Sequence, residues 1–180
     1  MPTFGALGDS IESAKKTDFF RWFSLVQVGS TRDASGSEVI EFQPEGEKFR
    51  KFVSFKLTGD SAGRLLAAEL TLDREFINSP ENGVFAADIA KSFLLDAIPK
   101  KDLPKVKTLA DEIQIGSFRS SGQPVIVRVD KTPQLPKHSS PGCDTYRDLR
   151  QQWRLPLKGI QLSLENKNVN GRRVLVMNLR

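Results

Sequence analysis

The chain has 180 residues, of which 38% are hydrophobic and 27% are charged, a composition typical of a globular protein large enough to bury a core. No apolar run approaches the roughly 20 residues that a membrane-spanning helix needs, so the sequence predicts a soluble protein. One histidine and one cysteine exclude the usual zinc sites and a disulfide within the chain, and no calcium-binding loop motif is present. We therefore expect neither a metal nor a cofactor.

Charge is distributed unevenly between the two halves of the chain. Residues 1–90 carry 10 Lys and Arg against 14 Asp and Glu, a net charge of −4, whereas residues 91–180 carry 17 against 8, a net charge of +9. An acidic partner would be attracted to the second half. The chain does not open on a basic segment followed by an apolar stretch, so the compartment stays open between the cytoplasm and export after removal of a leader.

The first 73 residues predict a short helix, over 9–16, followed by antiparallel strands. Apolar or alternating patterns typical of strands occur over 19–28, 38–43, 49–58 and 66–72. The glycine-rich loop between the last two segments is short enough for a hairpin. A meander, in which each strand pairs with the next, is the simplest arrangement.

Two amphipathic helices are predicted in the middle of the chain. The first begins after Ser79, a favourable N-cap, and carries an apolar stripe over 85–97. The second begins after Asp102 and carries a stripe over 103–113, with Gly116 as a suitable terminator. Both stripes need an apolar surface to cover, and one face of the predicted sheet supplies it.

The last third predicts a strand over 124–130, a loop, a short helix over 144–153 and a terminal hairpin over 158–180. The hairpin turns at Asn170 and Gly171, a residue pair that tolerates the positive φ of a type I′ turn.

Pairing through that turn sets Leu164 opposite Met177 and Leu162 opposite Leu179 on one face. Together these elements predict an α+β fold in one domain over 1–180. Its antiparallel sheet is a meander of about six to seven strands, with two main helices packed on one face.

The segment GDSAGRLLAAELTL, which begins at Gly59, resembles the nucleophile elbow of the α/β-hydrolases, especially the hormone-sensitive-lipase-like esterases. The resemblance covers about 14 residues. It implies a serine hydrolase with Ser61 as the nucleophile and His138 as the base. The acid would be Asp96, Asp111 or Asp130. A glycine-rich hairpin loop is the alternative interpretation.

The segment FGALGDSI, which begins at Phe4, is similar to the first block of the SGNH (GDSL) hydrolases. This resemblance implies Ser10 as the nucleophile. The Gly-x-Asn-Asp and Asp-x-x-His blocks of that family do not occur in the chain, and a helix cap made by Asp9 or Ser10 explains the same residues.

A third catalytic hypothesis pairs Cys143 with His138. At the start of the predicted helix, the helix dipole and Arg147 would lower the thiol pKa from its ordinary value of about 8.5 and make the sulfur nucleophilic. The alternative is an incidental thiol in an ordinary loop.

The basic second half supports a non-enzymatic hypothesis. On the predicted helix, Tyr146, Leu149 and Trp153 share one face, and three arginines share another. We expect a binding surface made of Arg147, Arg150, Trp153, Arg154, Arg172 and Arg173. Because every catalytic hypothesis lacks a required partner, we favour a non-catalytic binding or interaction domain that engages an acidic protein surface or a polyanion such as nucleic acid. The alternatives are a serine hydrolase that uses Ser61 and His138, and a solvated basic face without a partner.

Overall fold

The structure is a computed structural model that describes residues 4–120 and 140–180. Seven strands form one antiparallel sheet in the order β1-β2-β3-β4-β7-β6-β5. The strands are β1 (Leu25–Arg32), β2 (Glu38–Pro44), β3 (Val53–Gly59), β4 (Leu65–Asp73), β5 (Gln152–Pro156), β6 (Gln161–Val169) and β7 (Arg172–Leu179). The predicted fold class is confirmed.

Two of the helices are long, and the others are single turns or little more. After a 3₁₀ helix at Gly5–Leu7 come α1 (Ile11–Ala14), α2 (Asp18–Trp22), α3 (Glu47–Arg50), α4 (Arg74–Asn78), α5 (Gly83–Ala97), α6 (Leu103–Ser120) and α7 (Pro141–Tyr146). In the part of the chain that the structure describes, no helix is long and apolar enough to cross a membrane.

The core lies between the sheet and the helices that cover one of its faces. In β3, Val53, Phe55 and Leu57 are buried and alternate with half-exposed polar residues, the period-two pattern of a strand with one covered face. The α5 helix buries an apolar stripe that includes Ile89 and Phe93 against this layer. The opposite face of the sheet, called the open face below, carries polar side chains on β3 and both polar and apolar ones, such as Val176, on β7.

The terminal hairpin has the predicted turn and register. Asn170 and Gly171 both have positive φ, 50° and 77°, as a type I′ turn requires. Leu164 lies opposite Met177 across the β6–β7 pair, as predicted. This pairing directs the apolar residues of both strands to the helices.

Two predicted strands in the first half begin later than expected. Residues 19–22 belong to α2, and the chain becomes extended only after Ser24, where φ is 46°. Residues 49–50 likewise belong to α3. An apolar run has no period that separates a helical turn from a buried strand, so the strand predictions for 19–22 and 49–50 were wrong.

The two long helices differ from prediction at their ends. The first begins at Gly83, because the Ser79 hydroxyl accepts a hydrogen bond from the Asn82 N–H at 3.2 Å in the preceding turn. The second continues through Gly116, the predicted terminator, to Ser120. The predicted strand over 124–130 lies outside the described residues.

The predicted helix over 144–153 is confirmed only for 144–146 and was wrong for the rest. The α7 helix ends at Tyr146, and Asp148 adopts a positive φ of 64°, which ends the helical path. The chain then forms β5, in which Trp153 faces the helices opposite Leu164 while Arg154 lies on the open face opposite Ser163.

Candidate functional site

Ser61 lies on an exposed turn between two paired strands. β3 and β4 run antiparallel on either side of it, so a strand follows the serine where a nucleophile elbow has a helix. The Asp60 carboxylate holds the turn by accepting the N–H groups of Ala62 at 2.9 Å and Arg64 at 3.0 Å. The local geometry is that of a hairpin loop. His138, the proposed base, lies outside the described residues.

Ser10 caps a helix. Its hydroxyl accepts the Ser13 N–H at 3.1 Å, and the Ser13 hydroxyl accepts the Ser10 N–H at 3.2 Å, which completes a reciprocal capping box at α1. The cap explains this segment without catalytic chemistry.

Cys143 is buried in the first turn of α7, with 3% of its surface exposed. Burial raises the pKa of the thiol to about 11, and the nearby Glu112 carboxylate raises it further than Arg147 lowers it. The prediction of a lowered thiol pKa was wrong, because loss of hydration outweighs the attraction of the helix dipole and the arginine. The thiol is therefore protonated at neutral pH.

Two of the six residues predicted to bind a partner are paired with carboxylates. Arg172 pairs with Asp73 at 2.9 Å, and Arg173 makes two hydrogen bonds to Asp148 at 2.7 and 2.6 Å. The bonds from Arg173 hold the pKa of the Asp148 carboxyl below its usual value. These two arginines are already largely neutralised by carboxylates.

The other four predicted residues lie in β5 and in the segment that joins it to α7, because the helix ends at Tyr146. Trp153 is half-buried and packs on Gly142, where an added Cβ would lie 3.1 Å from the indole ring. Arg147 directly follows the last residue of α7, Arg150 lies three residues later, and both are exposed. Arg150 donates to the Gln152 carbonyl at 3.0 Å. Arg154 is exposed on the open face.

A buried arginine that the sequence did not reveal connects α4, α7 and β6. Arg74 is 4% exposed, and its guanidinium donates to the Asn166 side chain at 3.1 Å, to the Thr145 carbonyl at 2.9 Å and to the Tyr146 carbonyl. Asn166 is fully buried and donates in turn to the carbonyls of Thr145 and Arg150, both at 2.9 Å. Burial lowers the pKa of Arg74. We call this group the Arg74 junction.

The Arg74 junction has a structural role. A cation at the carboxyl end of α7 satisfies carbonyls that the helix leaves without a partner and complements the negative end of its dipole. The sequence gives no local signal for it, because Arg74 is 72 residues away from the Tyr146 carbonyl that it binds.

Three cations lie close together on the open face of β5, β6 and β7. We call this group, Arg154, Lys167 and Arg180, the strand patch. All three are exposed and border one small depression, of about 80 Å³, whose lining also includes Ser163 and Asn178.

The strand patch has few carboxylates to balance it. Glu165 pairs with Lys167 at 3.3 Å, and no ion pair among the described residues includes Arg154 or Arg180. In the sequence, strand alternation could have placed Lys167 on the open face once the hairpin register was known. Arg154 was predicted as a binding residue, but on a helix.

Comparisons with protein-family models, with curated proteins and with solved structures found no match to this chain.

Proposed function

We propose that the protein is a non-catalytic binding domain that engages an acidic partner, a protein surface or a polyanion, through the strand patch. The observation that carries this proposal is the convergence of Arg154, Lys167 and Arg180 on one depression that includes a single carboxylate, from Glu165. Exposed cations on neighbouring strands attract an acidic partner and hold its charged groups at fixed spacing.

The placement of the strand patch on a sheet supports recognition by a fixed surface. Arg154, Ser163 and Asn178 occupy directly opposed positions on three paired strands, so their backbone spacing is set by the hydrogen-bond ladder. The side-chain oxygen of Asn178 is buried and has no hydrogen-bond partner among the described residues. The Asn178 amide donates to the Glu69 carboxylate at 2.9 Å, which fixes the side chain in place.

The paired arginines contribute less to this proposal. An acidic partner that approached Arg172 or Arg173 would have to displace Asp73 or Asp148, and exchange of one carboxylate for another gains little free energy. We therefore place the binding surface on β5, β6 and β7 rather than around the hairpin turn.

The test compares a triple variant, Arg154→Ala with Lys167→Ala and Arg180→Ala, with a control that removes the same charge elsewhere. The control is Lys16→Ala with Lys100→Ala and Lys101→Ala, three exposed lysines in the connections of the helical layer. Fluorescence anisotropy would measure binding of labelled single-stranded DNA and of polyglutamate at several salt concentrations. Heparin would serve as a competitor.

We expect both variants to lose some affinity, because each has three fewer positive charges, and the strand-patch variant to lose much more. If three phosphates are contacted, the slope of log K against log salt should fall by about 2, which corresponds to roughly 20-fold in affinity between about 50 and 200 mM salt. Preference for polyglutamate over DNA would identify an acidic protein as the partner class. Equal losses in the two variants, or no salt-sensitive binding by the unmodified protein, would overturn the proposal.

A further inference from the structure

A cavity of about 280 Å³ lies where α6, α7 and the connection between α4 and α5 meet. It is on the helical side of the molecule and shares no lining residue with the strand patch. Its lining mixes apolar residues and glycine with two charged residues, Glu112 and Arg147, and with several neutral polar ones. The lining residues are Ile77, Asn78, Ser79, Pro80, Gly83, Glu112, Ile113, Gly116, Cys143, Tyr146 and Arg147.

Opposite charges border this cavity without neutralising each other. No ion pair among the described residues includes Arg147. Glu112 is 5% exposed, and its carboxylate accepts hydrogen bonds from the Ser140 N–H, at 3.1 Å, and from the Ser140 hydroxyl. A carboxylate has about four acceptor sites, so Glu112 can accept a further donor.

Gly116 leaves space beside these charges. It lies inside α6, and a Cβ added to it would meet no described atom within 4 Å, so packing among the described residues does not require glycine. Glycine in a helix interior is less favourable than alanine by about 0.5–1 kcal/mol. Glycine at this position adds no side chain to the wall of the cavity.

The polar groups buried beside the cavity are neutral. Burial raises the pKa of both Cys143 and Tyr146, so neither is ionised at neutral pH. The Tyr146 hydroxyl is buried and has no hydrogen-bond partner among the described residues. Neutral groups of this kind suit hydrogen bonding to a ligand better than nucleophilic attack on it.

We infer that this cavity binds a small zwitterion of the free amino-acid class, with its carboxylate on Arg147, its ammonium on Glu112 and an apolar side chain against Ile77, Pro80 and Ile113. A guanidinium and a carboxylate that border one cavity without pairing are complementary to a ligand that carries both charges. The volume equals that of about nine liquid waters, below the range of drug-sized sites, and suits an aliphatic amino acid. This inference does not depend on the strand patch.

The first experiment compares three probes that differ only in charge. L-leucine carries both charged groups, 4-methylpentanoate lacks the ammonium, and 3-methylbutylamine lacks the carboxylate. Leucine at ten times its Kd should raise the melting temperature by about 3–6 °C, and each analogue at the same concentration should raise it much less. Calorimetric titration would supply the Kd values.

Variants locate the binding. Arg147→Gln should weaken leucine binding by at least about tenfold, whereas Arg150→Gln removes an exposed arginine that does not line the cavity and should leave it unchanged. Gly116→Leu should block the cavity and abolish binding. Gly116→Ala is its folding control and should raise the melting temperature of the free protein.

Three results would overturn the inference. The first is no detectable leucine binding at concentrations up to about 10 mM. The second is equal affinity for 4-methylpentanoate, which would make the cavity an anion site. The third is unchanged binding in Arg147→Gln. Because each result concerns leucine or its analogues, it leaves the DNA and polyglutamate measurements on the strand patch unaffected.

Discussion

The aromatic core and the Arg74 junction are both buried, yet they stabilise the molecule by different means. In the aromatic core, the Phe55 ring centroid lies 5.2 Å from that of Phe19, 5.5 Å from Phe20, 5.8 Å from Phe93 and 6.4 Å from Phe42. In the Arg74 junction, one guanidinium satisfies carbonyl and amide oxygens from two other elements. Apolar packing is largely non-directional, whereas a hydrogen-bonded junction depends on each atom.

The two regions should tolerate different kinds of substitution. An apolar core accepts substitutions of similar volume and loses stability gradually as volume is removed. A buried polar network has a steeper response, because removal of one member leaves its partners unsatisfied in a medium that cannot solvate them. We therefore expect the aromatic core to respond to size and the Arg74 junction to respond to chemistry.

The largest effect is expected at the centre of the aromatic core. Phe55→Ala removes a fully buried ring that contacts rings from α2, β2 and α5, and should lower the free energy of unfolding by about 3–5 kcal/mol. Urea unfolding would measure it, with Phe55→Leu as the control that keeps most of the volume. A loss as large in Phe55→Leu as in Phe55→Ala would contradict a size-dependent response.

A somewhat smaller effect is expected at the Arg74 junction. Arg74→Met keeps much of the side-chain volume but leaves the Asn166 oxygen and the Tyr146 carbonyl without their donor, and should cost about 3 kcal/mol. Hydrogen exchange should show the amides of α7 and β6 losing protection before those of β3. Arg74→Lys keeps the charge without the fork of donors and should recover only part of the loss. A cost below about 1 kcal/mol in Arg74→Met would mean that water replaces the guanidinium.

The smallest effect is a pH dependence at the edge of the aromatic core. Burial, and secondarily the nearby Asp18 carboxylate, raise the pKa of Asp96 above its ordinary value of 3.8. The folded state therefore binds this proton more tightly than the unfolded state does. The stabilising contribution of the protonated Asp96 carboxyl is complete below about pH 3.8 and is lost as the pH rises through the folded-state pKa.

Asp96→Asn removes this titration, so the unfolding free energy of the variant, taken relative to that of the unmodified protein, should increase as the pH rises above about 3.8. Urea unfolding at a series of pH values would test it. Asp148→Asn has the opposite expectation, because the Asp148 pKa is lowered by Arg173 and its contribution is lost as the pH falls. Parallel pH profiles for Asp96→Asn and the unmodified protein would show that this carboxyl titrates alike in both states.

Most of the fold was predictable because its determinants are local. The turn at Asn170 and Gly171 sets the β6–β7 register by itself, and the apolar stripe of α5 predicts which of its faces is buried. The runs around Phe19 and Phe49 were ambiguous, since their helical turns are fixed by packing against residues that lie far along the chain. A local sequence pattern cannot distinguish a helical turn from a strand where tertiary contacts decide between the two conformations.

The candidate sites were less predictable than the fold. Arg154 was identified as a binding residue, but its place beside Lys167 and Arg180 depends on the pairing of β5 with β6, in a segment that was predicted as a helix. The cavity beside Arg147 is formed by three helical segments, and no motif in the sequence links them. Charge in the sequence indicates which half of the chain attracts an acidic partner, whereas pairing in the structure decides which arginines are available.

β7 pairs with β6 through a two-residue turn and with β4 across about a hundred residues of chain, from Asp73 opposite Val174 to Ala68 opposite Leu179. Each group of strands, β1 to β4 and β5 to β7, can form from neighbouring segments, but the β4–β7 ladder must close a loop that contains both long helices. Closing this loop costs conformational entropy before the contacts between β4 and β7 can stabilise the structure. We therefore expect this protein to refold at the slow rates typical of β proteins, in milliseconds to seconds, in spite of its two long helices.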